Sequence, residues 1–263
     1  MKAFLLLVSP PILNQFIKSL YFTLLGIKHK KINNYEDEKL IKSILLKHES
    51  YKKMITDGKV VNILDLKNLY GFLLAKLPNP ASIVDFGGGP GTHHTVIKKL
   101  FPSHSFKWLI IETPNFVKVA KKQRTPEIHY LEKISQISEP VNLVYSSGAL
   151  QCTNNPLAYL SELVKLRAKY LVITRTPLTN TDRFAAKHKS FLTDNGPGDG
   201  LIYQENRAVS YPIIIENTND VERVIQEYYE IKTRFLEQEN LYKYKGIKVN
   251  YYGYFCILRG EAN

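Results

Sequence analysis

One stretch, Ala81 to Glu112, constrains this chain more than any other. It reads Ala-Ser-Ile-Val-Asp-Phe-Gly-Gly-Gly-Pro-Gly-Thr, continues as a helical run and ends on Phe-Lys-Trp-Leu-Ile-Ile-Glu. A short apolar run that breaks into glycines and resumes as a helix predicts strand, tight turn and helix. Gly87, Gly88, Gly89 and Gly91 let the backbone take positive φ and approach a ligand with no Cβ in the way. The helix predicted over Thr92–Leu100 points its first N–H groups into that loop. A second strand, Trp108–Ile111, delivers Glu112 to the carboxyl edge of a parallel sheet, where an acid can accept hydrogen bonds from the two hydroxyls of a ribose.

The dinucleotide fingerprint requires glycine or alanine at the sixth position from its first glycine. Counted from Gly87 that position is Thr92, so the pattern fails. What is present is acid-x-G-x-G-x-G, from Asp85 through Gly87 and Gly89 to Gly91. This resembles motif I of the class I methyltransferases that use S-adenosylmethionine (SAM). The resemblance implies a Rossmann-like α/β fold with a mostly parallel seven-stranded sheet, an antiparallel last strand and a preceding N-terminal helical lid. It implies SAM as cofactor, held by the glycines, by Glu112 as the ribose-binding acid and by Thr113 beside it. Asp85 suits the cationic methionyl end, directly or by ordering the glycine turn. Glu132, after a third strand at Ile128–Leu131, takes the place where relatives hold the adenine amino group. Ser146 and Ser147, after a fourth strand at Val141–Tyr145, leave room for the methionine part. The alternative is a glycine-rich turn with no ligand.

The runs Val-Asp-Phe-Gly-Gly-Gly, Ile-Glu-Thr-Pro, Ser-Ser-Gly-Ala-Leu-Gln and Ile-Thr-Arg-Thr-Pro-Leu are more particular. They are similar to a methyltransferase family encoded among bacterial genes for lipopolysaccharide and other surface glycans. That similarity implies a small-molecule or glycan acceptor, of surface-polysaccharide or nucleotide-sugar type. Arg175, at the end of a fifth strand Tyr170–Thr174, is placed to grip a phosphate or carboxylate on such an acceptor. His93 and His94 open the helix after the glycine loop, and His94 is taken as the base for a hydroxyl acceptor. A salt bridge for Arg175 and a hydrogen-bonding role for the histidines are the plainer readings.

The formal charge of +12 invites nucleic acid or anionic membrane as partner. Lysine outnumbers arginine 28 to 8, however, and is scattered, whereas nucleic-acid surfaces concentrate their charge and favour arginine. Nucleic acid is therefore not favoured. A nucleic-acid or protein methyltransferase and a non-catalytic partner subunit remain the alternatives. Cys152 and Cys256 lie far apart and form no metal pattern, which fits a reduced cytoplasmic protein. No uninterrupted run of about 18 apolar residues occurs, so no span is expected, and the start shows no signal-peptide pattern.

Residues 1–78 are expected to form the helical lid and residues 79–263 the methyltransferase domain. An amphipathic stripe from Ile12 to Leu25 either packs on that domain or, with Lys28, Lys30 and Lys31, lays residues 10–31 on the inner face of the membrane. Asp37 caps a helix through Leu40, Ile44 and Leu45, and a second helix spans Ile63–Leu77. Asn154, Asn155 and Pro156 read as the cap and first turn of a helix reaching Arg167. Leu178–Ser210 reads as a long loop, Val221–Tyr229 as a helix, and Glu230–Glu237 and Val249–Leu258 as the last two strands.

Overall fold

The structure, a computed structural model, describes residues 30–32, 34–57, 76–121, 125–197, 208–244 and 246–260. The Ile12–Leu25 stripe and the body of the Ile63–Leu77 helix lie outside the described residues. Among the described residues, seven strands form the central sheet: β2 (Ala81–Phe86), β3 (Phe106–Ile111), β4 (Ile128–Leu131), β5 (Leu143–Ser147), β6 (Tyr170–Thr179), β9 (Tyr229–Tyr244) and β10 (Ile247–Leu258). Their order is β4-β3-β2-β5-β6-β10-β9. All run parallel except β10, which is antiparallel to both β6 and β9. This is the Rossmann-like α/β sheet with an antiparallel last strand that the motif resemblance implies.

The parallel strands are apolar almost throughout because helices cover both faces. One core gathers Ile83, Trp108, Ile110, Leu143 and Tyr145 under α1 (Glu38–Thr56) and α2 (Thr92–Leu100). The other gathers Val84, Leu109, Val144, Leu171 and Ile173 under α4 (Pro156–Val164) and α5 (Thr218–Gln226). A shorter helix, α3 (Pro114–Ala120), follows β3, with Thr113 as its cap and proline at its start.

α1 follows directly from its sequence. Asp37 caps it, its carboxylate accepting from the backbone N–H of Lys39 and Leu40 at 3.0 and 3.1 Å. Leu40, Ile41, Ile44, Leu45, His48 and Ile55 then bury one face. Asp37→Ala is expected to cost about 1 kcal/mol, the usual effect of losing an N-cap, read as a fall of roughly 2–4 °C in Tm.

The expected loop Leu178–Ser210 is corrected. β6 runs on to Thr179, β7 (Phe184–Phe191) and β8 (Ala208–Asn217) pair antiparallel, and Lys30–Lys31 adds a two-residue strand, β1, parallel to β8. The tips of β6 and β8 pair at Leu178–Glu216 and Thr179–Asn217, so the hairpin rises from the carboxyl end of the central sheet. Alternation along β7 is carried by Ala186, His188 and Ser190 rather than by large apolar side chains, which hides the strand in the sequence. The helix expected to reach Arg167 ends at Val164, and that of Val221–Tyr229 spans Thr218–Gln226 behind an Asn217 cap. No helix among the described residues is long and apolar enough to cross a membrane, and no cluster of metal-ligating side chains occurs among them.

Candidate active site

The strand order reverses at β2, which has β3 on one side and β5 on the other. In open parallel sheets the crevice beyond the carboxyl ends at such a point is where ligands bind. Here it opens into a cavity of about 640 Å³ that extends from the glycine loop to the β7–β8 hairpin.

The loop is shaped by what lies beneath it. Gly87 leaves β2 at φ +69°, and its N–H donates to the Ile111 carbonyl at 2.9 Å. A Cβ on Gly87 would stand 2.2 Å from the Cβ of Ala149, and one on Gly88 would meet the Asp85 carboxyl group at 2.4 Å. Gly89 has φ +56°, and a Cβ there would find nothing nearer than Phe116 at 4.0 Å. Gly91 starts α2 at φ +86°, and its α-carbon faces Ile128 in the core. Gly87, Gly88 and Gly91 are therefore required by packing, whereas Gly89 leaves space above the loop.

Glu112 follows β3 and reaches back to the loop. Its Oε1 accepts from Gly89 N–H at 3.0 Å and its Oε2 from Thr113 N–H at 3.1 Å. Burial pushes its carboxyl group up to about 7, against the pull of those two N–H donors and with a further push from Asp85. Thr113 caps α3 and donates its hydroxyl to the Tyr35 carbonyl at 3.3 Å, which ties the segment before α1 to the site.

The cavity brings together Gly87, Gly88, Gly89, Glu112, Thr113, Glu132, Ser147 and Arg175 from the residues picked out in the sequence. Four others stand off it. Asp85 is fully buried under Gly88, where its Oδ2 accepts from Trp108 Nε1 at 3.1 Å and pairs with His93 Nδ1 at 2.9 Å. It orders the turn rather than facing a ligand. Ser146 is buried at the end of β5, and Gly91 faces the core. His94 is turned away as well. Its Nε2 lies 2.8 Å from Glu127, and its ring meets Trp108 edge-on at 5.3 Å between centroids. Burial lowers its pKa, with Glu127 opposing. Adjacent helix positions are about 100° apart, so His93 takes the cavity side that His94 does not.

Arg175 has the unusual φ of +55° for a side-chain-bearing residue. Its backbone N–H donates to both carboxylate oxygens of Glu237 at 3.0 Å, and its side chain passes over Gly148. Its guanidinium has no hydrogen bond or ion pair among the described residues, so the salt bridge of the plainer reading is absent there.

The far wall is made of residues that no motif announced. Tyr35, His188, Asn195, Tyr211 and Tyr251 come from the turn before α1, from the hairpin and from β10. Tyr211 donates to Asn195 Oδ1 at 3.1 Å and packs its ring 5.9 Å from that of Tyr35 and 5.0 Å from that of His188. Lys47 of α1 donates to the carbonyls of Asn195 and Gly196 at 3.0 and 3.2 Å, which fixes this wall to the helix above it.

A scan against protein-family models finds no match, and a search of the curated proteins finds none either. Among solved structures, a SAM dependent methyltransferase from Aquifex aeolicus is 15% identical, with 73% of this chain and 89% of that one covered and a TM-score of 0.43. The CcbJ methyltransferase of Streptomyces caelestis is 10% identical over 73% and 88%, with a TM-score of 0.46. The geranyl diphosphate C-methyltransferase of Streptomyces coelicolor A3(2) is 9% identical over 74% and 79%, with a TM-score of 0.48. These likenesses are too distant to carry a function across. The class of protein is set instead by the strand order and the glycine loop: a Rossmann-like α/β chain with a cavity at its switch point.

Proposed function

We propose that the cavity binds SAM and that the protein is a methyltransferase acting on a small-molecule or glycan acceptor that carries an anionic group. One observation carries this reading: an acid hydrogen-bonded to the glycine loop and a guanidinium unpaired among the described residues line the same cavity. SAM fits the residues present. Glu112 keeps lone pairs free for ribose hydroxyls after accepting from Gly89 and Thr113, the loop leaves space above Gly89, and there is no pyrophosphate to hold. Bound there, SAM supplies an electrophilic methyl group on a sulfonium.

The residues of this chain then have three tasks. Gly87 to Gly89 and Glu112 hold the cofactor, with Glu132 at the adenine side and Ser147 at the methionine side. Arg175 holds the acceptor through a phosphate or carboxylate, leaving an acceptor atom aligned with the methyl carbon. The Tyr35–Tyr211–Asn195 wall and α1 keep water out. A nucleotide sugar or other surface-glycan precursor has the required anion, and a cytoplasmic place of action, with residues 10–31 against the inner membrane face, belongs to the same proposal. A nucleic-acid or protein acceptor is not favoured by a cavity whose far wall is aromatic, from Tyr35, Tyr211 and Tyr251.

Arg175→Lys separates the two binding tasks. An ammonium cannot reproduce the guanidinium fork, so kcat/KM for an anionic acceptor is expected to fall about 10–150-fold, the range of a charged hydrogen bond. Calorimetric affinity for SAM is expected to stay within about twofold of wild type, well inside one such bond. No SAM binding by the wild-type protein would end the proposal. Loss of SAM binding in Arg175→Lys would move the arginine to the cofactor.

A further inference from the structure

One titratable residue on the cavity wall, His93, has no part in the binding tasks above. His93 stands in the first turn of α2, with 18% of its side chain exposed, and lines the cavity. Its Nδ1 lies 2.9 Å from Oδ2 of Asp85, whose side chain is fully buried. The Tyr145 ring meets the imidazole at 4.9 Å and 75°, so the ring is held from two directions. An ionised carboxylate only accepts, so Nδ1 carries the hydrogen and Nε2 presents a lone pair. Nε2 has no hydrogen-bond partner among the described residues.

The other carboxylate oxygen, Oδ1 of Asp85, is buried with no partner among the described residues. A buried carboxylate with unmet acceptor capacity favours a positive charge beside it. The imidazole supplies that charge when it takes a proton. The logic is that of a carboxylate that fixes the tautomer of a histidine and stabilises the imidazolium.

We infer that His93 is the general base for methyl transfer to a hydroxyl group, oriented by Asp85, resting on the reading of the cavity as a SAM site. As the acceptor oxygen forms its bond to the methyl carbon, the carbon–sulfur bond breaks and its electron pair stays on sulfur. The hydroxyl proton passes to Nε2, and the resulting imidazolium is paired with Asp85 until the proton leaves to solvent. The acceptor atom assigned is thus a hydroxyl oxygen, which loses a proton in the step.

The pair is testable before any acceptor is known. In protein labelled with 15N at histidine, His93 is expected in the Nδ1-protonated tautomer, and Asp85→Asn is expected to shift it towards the other one. Diethyl pyrocarbonate, which attacks an accessible neutral imidazole nitrogen, is expected to modify His93 faster than His94, as read by peptide mass mapping. His93→Gln should hold SAM within about threefold of wild type, while single-turnover methyl transfer to hexose 1-phosphates or nucleoside-diphosphate hexoses falls about 10²–10⁴-fold, the usual worth of a base. A His93 with its proton on Nε2, a loss of SAM affinity in His93→Gln, or transfer within tenfold of wild type would each overturn the assignment. Failure of wild-type protein to bind SAM is a different outcome: it removes the cofactor reading, while the tautomer still reports on the Asp85–His93 pair.

Discussion

Gly89→Val is expected to reduce SAM affinity at least 100-fold, equivalent to about 2.7 kcal/mol or more, while the protein stays folded. Among the described residues a valine Cβ at this position finds nothing nearer than Phe116 at 4.0 Å, so the side chain extends into the cavity that Gly89 lines. Its φ of +56° does impose strain of about 1–2 kcal/mol on an L-residue. For a chain of this size that strain corresponds to roughly 2–8 °C in Tm. Gly87→Ala supplies the opposite result. Its Cβ would lie 2.2 Å from that of Ala149, and overpacking of about 1–3 kcal/mol adds to the same backbone strain. Gly87→Ala should therefore lower Tm by more than Gly89→Val although it adds a smaller group. Calorimetry with SAM and thermal unfolding of both variants check the pair. Undiminished SAM binding in Gly89→Val would show that the cofactor does not pass over this loop.

The contrast between these two glycines marks where the sequence stops being informative. The spacing Asp85, Gly87, Gly89, Gly91 foretells a loop, and β2, α2 and β3 follow with boundaries close to those expected. It does not say which glycine yields to a ligand and which to Ala149 or Asp85, because those neighbours come from packing. The same limit separates His93 from His94. Two adjacent histidines at a helix start look equivalent in a sequence, and only the sheet beneath α2 decides that one meets Glu127 and Trp108 and the other the cavity.

The hairpin is the larger omission. β8 contains the apolar run Ile213–Ile215, which is a legible strand signal, but Pro212 precedes it and proline argues against a central strand. In the fold Pro212 pairs with Lys187 of an edge hairpin and is exposed, so its missing N–H costs little. Because the hairpin was hidden, His188 and Tyr211 were hidden with it, and so was the way Asn195 joins them to α1. A wall built from single residues on separate elements leaves no spacing to read.

Glu112 supplies the second large effect and a sign that can be checked. Burial holds its carboxyl group near 7 in the folded protein, above the ordinary value of 4.5. The folded state therefore keeps a proton that the unfolded chain has released between those two values. With more protons bound in the folded state, stability falls as pH rises from about 4.5 to about 7. Cofactor binding runs the other way. Holding ribose hydroxyls while accepting from Gly89 and Thr113 takes the ionised carboxylate, so binding below pH 7 expels a proton. SAM affinity is expected to drop about 30-fold from pH 8 to pH 5.5, since a group titrating near 7 gives close to tenfold per unit below it. Glu112→Ala should weaken SAM by about 1.5–3 kcal/mol at pH 8, the scale of charged hydrogen bonds, and Glu112→Gln should bind weakly with a flattened pH profile. Asp85 and Glu36 also act on this carboxyl group, so the variant profile is the decisive control. An unchanged pH dependence in Glu112→Gln would assign the titration to a neighbour and remove the ribose contact from this acid.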